Sequence, residues 1–173
     1  CLPLSSGTEK RNYCVIAEMH RRCSMEAFPF LLMLLVTATA VAGQNSASPE
    51  ALIEAEYRQY IRDFIARDYE AIASHFNPPI QRTNSEGSVV LQNTGEIKRM
   101  YQNMMANIQK GYSYSEVDSI DIQPLSRSTY AASVSFTRYD AADEAIFEGR
   151  SIYLFGNQSG EWKMFSMIQA ERE

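Results

Sequence analysis

Residues 49–76 read PEALIEAEYRQYIRDFIARDYEAIASHF, and this stretch decides the fold. Ile53, Tyr57, Tyr60, Ile61 and Phe64 recur at helical spacing, while Glu54, Arg58, Arg62 and Asp63 fall on the opposite, wet side. Ser48 before Pro49-Glu50 supplies an N-cap, a proline suited to the first turn, and an acid near the positive end of the helix dipole. Asp68 can cap a second, short helix from Tyr69 to Phe76, which Pro78-Pro79 is expected to end.

Outward from this pair of helices the pattern changes. Ile80–Thr83 and Ser88–Gln92 read as two short strands around a turn at residues 84–87. Asn93 with Glu96 three residues on is a capping-box arrangement. A third helix from about Gly95 to Lys110 then carries Ile97, Met100, Tyr101, Met104, Met105 and Ile108 on one stripe, with Gly111 as its left-handed cap. Such a stripe belongs to a core or, because thioethers are flexible, to the wall of an adaptable pocket. Alternating strands are predicted at Tyr112–Gln123, Thr129–Tyr139, Ala145–Phe155 and Glu161–Gln169. In the second of these Tyr130, Ala132, Val134 and Phe136 share one apolar face. Helices first and long strands afterwards predict an α+β fold, a strongly bent antiparallel sheet wrapped over about three helices.

The chain has 173 residues, enough for one domain with a core, and its 45% hydrophobic and 21% charged content is that of a globular protein. A net charge of −5 and the lack of any Lys/Arg stripe argue against a nucleic-acid partner. Phe28–Ala42 is an apolar run of 15 residues behind Arg21 and Arg22, and it closes on Ala40-Val41-Ala42. A basic start, a short apolar stretch and a small-x-small site are the features of a secretory signal peptide. The run is shorter than the roughly 20 residues a membrane-spanning helix needs. An uncleaved anchor and a buried helix are the competing readings. Initiation at Met19 is expected, since it includes both arginines. Residues 1–18 are then upstream sequence, 19–42 the signal, 43–48 a flexible lead, 49–169 the domain and 170–173 a tail. The protein is expected to be secreted or periplasmic. Cys1, Cys14 and Cys23 all precede the cleavage point, so the mature chain would hold neither a disulfide nor a thiolate metal site. No metal and no cofactor are expected.

On three stretches the chain resembles the nuclear transport factor 2-like superfamily, which includes SnoaL-like cyclases and ketosteroid-isomerase-like proteins. The first is Arg67-Asp68 through His75-Phe76 after the long helix. The second is Thr94-Gly95-Glu96-Ile97. The third is Gly149–Phe155 followed by Ser159-Gly160-Glu161-Trp162-Lys163. The resemblance spans about Pro49 to Ile168. It implies a cone with a cavity at its wide end and a homodimer through the outer sheet face. It does not imply one reaction, because fold and function separate in such families. In the isomerase branch a first-helix tyrosine donates to the developing oxyanion, and Tyr60 matches it. The general-base aspartate falls on Asn84, and the second acid falls on Ser151 or Ile152. An amide does not take up a proton near neutral pH, so proton abstraction of that kind is not expected. No Asp-Arg-Asp constellation of the epoxide-hydrolase kind is present either.

Several residues remain candidates for a site. Tyr60, His75 and Glu148 are candidates for catalysis, and Tyr57, Tyr60, Phe64, Asn84, Tyr101, Met104, Val134, Phe136, Arg150 and Trp162 for a ligand pocket. His75 is the single histidine of the mature chain. It is either a helix-end cap or a group that titrates in a useful range. Glu148 and Arg150 share a strand face with Ile146, Ile152 and Leu154, but Phe147, Tyr153 and Phe155 make the other face apolar too, so their direction is open. Three functions compete. One is binding of a small, partly apolar molecule in the cone. The second is a SnoaL-like isomerase, cyclase or hydratase using Tyr60, His75, Glu148 or Arg150. The third is a dimerisation module with a filled cone.

Overall fold

The computed structural model describes residues 47–158 and 160–170. The proposed signal segment, the flexible lead up to residue 46 and the tail from residue 171 lie outside them. Among the described residues no helix is long and apolar enough to cross a membrane.

Helix α1 (Pro49–Ala66) starts where Ser48 Oγ accepts the Ala51 N–H at 3.3 Å. It ends where Arg67 turns left-handed at φ 59° and donates its N–H to Phe64 O. Its buried stripe is Ile53, Tyr57, Tyr60 and Phe64. Asp68 Oδ1 accepts the Ala71 N–H at 3.0 Å and caps α2 (Tyr69–Ser74). Strand β1 (Phe76–Asn84) and β2 (Gly87–Leu91) follow. Helix α3 (Thr94–Ala106) is capped by Asn93, whose Oδ1 accepts the Glu96 N–H at 3.0 Å, while Glu96 Oε2 accepts the Gln92 N–H at 2.8 Å. Strands β3 (Tyr114–Ser126), β4 (Thr129–Tyr139), β5 (Ala145–Gly156) and β6 (Lys163–Ala170) complete the chain.

The six strands form one strongly bent, unclosed sheet in the order β2-β1-β6-β5-β4-β3. It is antiparallel except where β1 runs parallel to β6, so the sheet is mixed where an all-antiparallel one was expected. The concave face receives α1 and α3. Ile53, Tyr57, Ile97 and Tyr101 from the helices pack with Ala132, Val134, Phe155 and Met164 from the strands, all essentially without solvent exposure.

Two boundaries differ from the sequence reading for physical reasons. Pro78-Pro79 does not separate a helix from a strand. It lies inside β1, which begins at Phe76, and the β1–β6 register breaks between Phe76 and Gln81 because proline has no N–H to give the ladder. Helix α3 stops at Ala106, not near Lys110. Asn107 turns its side-chain amide onto Asn103 O at 2.8 Å, an alternative to the helical ladder that asparagine favours. Gly111, at φ +89°, therefore serves the turn into β3 and does not cap α3.

Candidate functional site

The alternation along the inner strands aims side chains under the helices. On β4 the inward series is Tyr130, Ala132, Val134, Phe136 and then Arg138; on β5 it is Phe147, Gly149, Ser151, Tyr153 and Phe155. At the wide end of the cone these strands do not meet the helices fully, and two joined hollows are among those that remain. The inner one is a chamber of about 40 Å³. Tyr57, Tyr60, Ile61 and Phe64 of α1 and Met104 of α3 line it from above. Arg82, Ser115, Phe136, Arg138, Ser151, Tyr153, Met167 and Gln169 line it from the sheet. The outer one is an open mouth of about 660 Å³, whose walls include Asn84, Leu91, Met100, Asn103, Ile108 and Gln109. Arg82, Met104, Arg138 and Gln169 border both, so they stand at the neck between chamber and mouth.

The chamber is roofed by tyrosines. Tyr60 and Tyr101 share a hydrogen bond of 2.8 Å between their hydroxyls, and Tyr101 also reaches Met167 Sδ at 3.9 Å. Tyr57 and Tyr153 lie with ring centroids 5.1 Å apart, and the Tyr57 hydroxyl is buried without a hydrogen-bond partner. Burial pushes the hydroxyls of Tyr57, Tyr60 and Tyr101 well above the ordinary phenol range and raises that of Tyr153. They act as neutral donors and not as bases.

Arg138 is the buried one of the two arginines at the neck. Its register neighbours are Ser115 on β3 and Phe147 on β5. The side chain is 9% exposed, and its guanidinium carbon lies 5.1 to 5.8 Å from the ring centroids of Phe147, Phe136, Phe64 and Tyr112. Nη1 donates to Gln109 Oε1, and Nε is buried with no partner. Among the described residues no carboxylate pairs with it. Burial lowers its pKa, but an arginine remains charged at any physiological pH.

The candidates from sequence separate into three groups. Tyr57, Tyr60, Phe64, Met104 and Phe136 line the chamber, and Asn84 lines the mouth. Tyr101 is fully buried beside the chamber and acts on it through Tyr60. Val134 and Trp162 are core, the latter packed edge-on against Tyr130 at 5.1 Å. Arg150 and Glu148 line neither the chamber nor the mouth but border a further hollow of about 420 Å³, with Asn84, Phe147, Gly149 and Gln169. Gly149 and Ser151 take the inward positions of β5, which sends Arg150 outward to donate to Ser133 Oγ at 3.3 Å and leaves Glu148 exposed. Of the isomerase-like positions, Tyr60 and Ser151 line the chamber, whereas Asn84 lines the mouth and not the chamber. Asn84 Oδ1 accepts the Glu86 N–H at 3.2 Å and so also shapes the β1–β2 turn.

His75 is neither in the chamber nor in the mouth. Its imidazole is held from both sides, Nδ1 by Glu56 Oε1 at 3.0 Å and Nε2 by Asp63 Oδ2 at 2.7 Å. Lys163 Nζ reaches the same Glu56 oxygen at 2.9 Å. Burial alone would lower the His75 pKa, but the hydrogen bonds and charges of Glu56 and Asp63 outweigh it and raise it above the ordinary value. Burial likewise opposes ionisation of Glu56, and the bonds from His75 and Lys163 outweigh it and lower its pKa. The group is a clasp: it ties α1 to the α2–β1 junction and to the start of β6. Among the described residues no cluster of three or more His, Cys, Asp or Glu is placed to hold a metal ion.

Arg82, Arg138, Ser115, Ser151, Tyr153, Met167 and Gln169 were not among the sequence candidates. Arg138 was within reach, since it is the next same-face residue after Phe136. Arg82 lies in the expected strand Ile80–Thr83, but its place at the neck depends on the parallel pairing of β1 with β6, which sets it opposite Met167.

Comparison with known proteins agrees with this architecture. A family model described as NTF2-like protein (DUF6841) matches residues 49–172, and the chain belongs to that family. No curated protein matches it. Among solved structures it is similar to a cystatin-like-fold domain of unknown function from Nostoc punctiforme. The TM-score is 0.60 at 18% identity, over 74% of this chain and 80% of that one. It is also similar to an NTF-2 like protein of unknown function from Shewanella oneidensis, with TM-score 0.58, 12% identity, 72% of this chain and 100% of that one. A third is a protein titled a putative aromatic ring hydroxylase from Novosphingobium aromaticivorans, with TM-score 0.57, 13% identity, 74% and 93%. At these identities the likeness concerns the fold.

Proposed function

We propose that this protein binds a small, partly apolar molecule in its cone and does so without chemistry on it. The observation that carries this reading is the pair of hollows joined at one neck. A mouth of about 660 Å³ is within the roughly 300–1,000 Å³ of small-molecule sites. Leu91, Met100, Met104 and Ile108 give it one apolar strip, and the rest of its lining is polar or charged, with Arg82, Arg99, Glu86 and Glu96 among it. The ionisable groups around the chamber support binding over turnover. They are two arginines and tyrosines held neutral by burial, and proton transfer needs a group that titrates near the working pH.

The test is a thermal-stability screen of the protein against small apolar compounds, repeated on Met104→Trp. The expected result is a set of compounds that raise the melting temperature of the native chain and lose most of that effect in the variant, because the indole fills the neck. Stabilisation that survives Met104→Trp would place binding elsewhere. Conversion of a stabilising compound to product would replace the binding reading with an enzymatic one.

The same reading includes export and a homodimer. Export rests on the apolar run Phe28–Ala42 behind Arg21 and Arg22. The dimer would form on the outer sheet face, where Ile152 pairs with Ile168 beside Leu154, and Ala131, Ser133 and Ser166 keep the surface flat. Native mass spectrometry of the exported fraction tests both. The expected species is a dimer of chains starting at Gly43; a monomer, or a chain retaining residues 28–42, would contradict the respective part.

A further inference from the structure

We propose that the molecule taken by the cone is a small monocarboxylic acid with an apolar body, its carboxylate seated on Arg138 at the neck. This rests on the reading of the cone as a small-molecule site and adds the charge, orientation and class of the ligand.

Arg138 presents a charge that the described protein leaves unanswered. Burying a guanidinium without a counter-charge is costly, and proteins normally pair such a group with an acid. Here the described partners are one neutral amide, Gln109, and the faces of aromatic rings. Rings over a guanidinium offset part of the desolvation through cation–π attraction. The buried Nε–H is an unused donor. A planar fork of this kind matches the two oxygens of a carboxylate.

The surroundings are built to hold that fork in place. A Cβ on Gly149 would lie 2.4 Å from Phe136 Cζ and 2.7 Å from Phe147 Cε1. The glycine therefore gives the two phenylalanines the space from which they flank Arg138. Arg82 adds a second cation at the neck, oriented by Gln169 Oε1 at 3.4 Å. The mouth is bordered by two acids: Glu96 is engaged in capping α3, and Glu86 stands on the β1–β2 turn, with no ion pair to either neck arginine among the described residues.

Size fixes the orientation. A chamber of about 40 Å³ exceeds the roughly 10–15 Å³ that one water requires, but it is far too small for an aromatic ring or an alkyl chain. The ligand head therefore enters the neck, and the apolar body stays in the mouth against Leu91, Met100, Met104 and Ile108.

The experiment is calorimetric titration of the full chain with straight-chain acids from butyrate to octanoate and with 4-phenylbutyrate, each beside its primary amide, at constant ionic strength. The expected result is binding of at least one acid, with its amide weaker by roughly tenfold or more, as loss of a charged hydrogen-bonded pair implies. Arg138→Met is expected to abolish the preference for the acid. Arg82→Met, which does not remove the buried fork, is expected to reduce it and serves if Arg138→Met fails to fold. Acid and amide binding equally, with both lost in Met104→Trp, would overturn the carboxylate assignment while leaving the cone as a binding site. Phenyl phosphate binding more tightly than every acid would overturn it as well. Failure of every acid would overturn it too, and if no compound of the wider screen binds, the cone reading falls with it.

Discussion

His75→Ala is expected to unfold this protein about 8–15 °C sooner while leaving ligand affinity at permissive temperature unchanged. The ring is buried and both its nitrogens are bonded to carboxylates. Removing it strands Glu56 and Asp63 as partly buried acids, with Lys163 the remaining described cation of the clasp. Leaving one side of such a pair unmatched costs about 2–4 kcal/mol, less than for a fully enclosed pair because both carboxylates retain some solvent. For a domain of this size that corresponds to the shift stated, of roughly 8–15 °C. Stability should also depend on pH in a defined way. The folded pKa of His75 lies above its ordinary 6.5, so its contribution is fully present below about pH 6.5 and is lost as pH rises through the folded value. The folded pKa of Glu56 lies below its ordinary 4.5, so its contribution is present above about pH 4.5 and is lost as pH falls through the folded value. The clasp is therefore strongest between those limits, and His75→Ala should flatten the alkaline side of the profile. An unchanged melting temperature with lost ligand binding would instead make His75 part of the site.

Gly149→Ala is expected to destabilise the protein by about 1–3 kcal/mol, the usual cost of overpacking a close-fitted interior. Unlike the clasp variant, it should also weaken binding. The added methyl meets three ring atoms, two of Phe136 and one of Phe147, closer than real contacts allow, and both rings belong to the set around Arg138. Phe136 is buried and cannot simply swing away. Denaturant unfolding gives the first effect and calorimetry on the same sample the second. A variant as stable as the native chain would mean that the rings have space not apparent in their present packing.

Much of the architecture was legible because its signals are local. The stripe of α1, the caps Ser48, Asp68 and Asn93, and the alternation of β4 depend on neighbours in sequence, and each formed as read. The parallel pairing of β1 with β6 is a contact across some 85 residues, with nothing local to announce it. The direction of Glu148 and Arg150 was undecidable from alternation because both faces of β5 carry apolar residues. The packing of Tyr153 and Phe155 under α1 and α3 settled it. His75 was readable as a helix-end cap, where it does stand, or as a titratable group; its clasp was not readable because Glu56 and Asp63 lie 19 and 12 residues away in sequence. Arg138 was missed although the expected strand Thr129–Tyr139 includes it, because the inward face was followed only through its apolar residues, as far as Phe136.

The most direct test of the cone as a binding site is a crystal structure of the protein grown with 4-phenylbutyrate. The account predicts density for the compound in the mouth between α3 and the C-terminal ends of β1 and β6, with its apolar body against Met100 and Met104. Met104 and Phe136 collapsed into a closed neck, with the compound absent or lying only on the outer face, would contradict it.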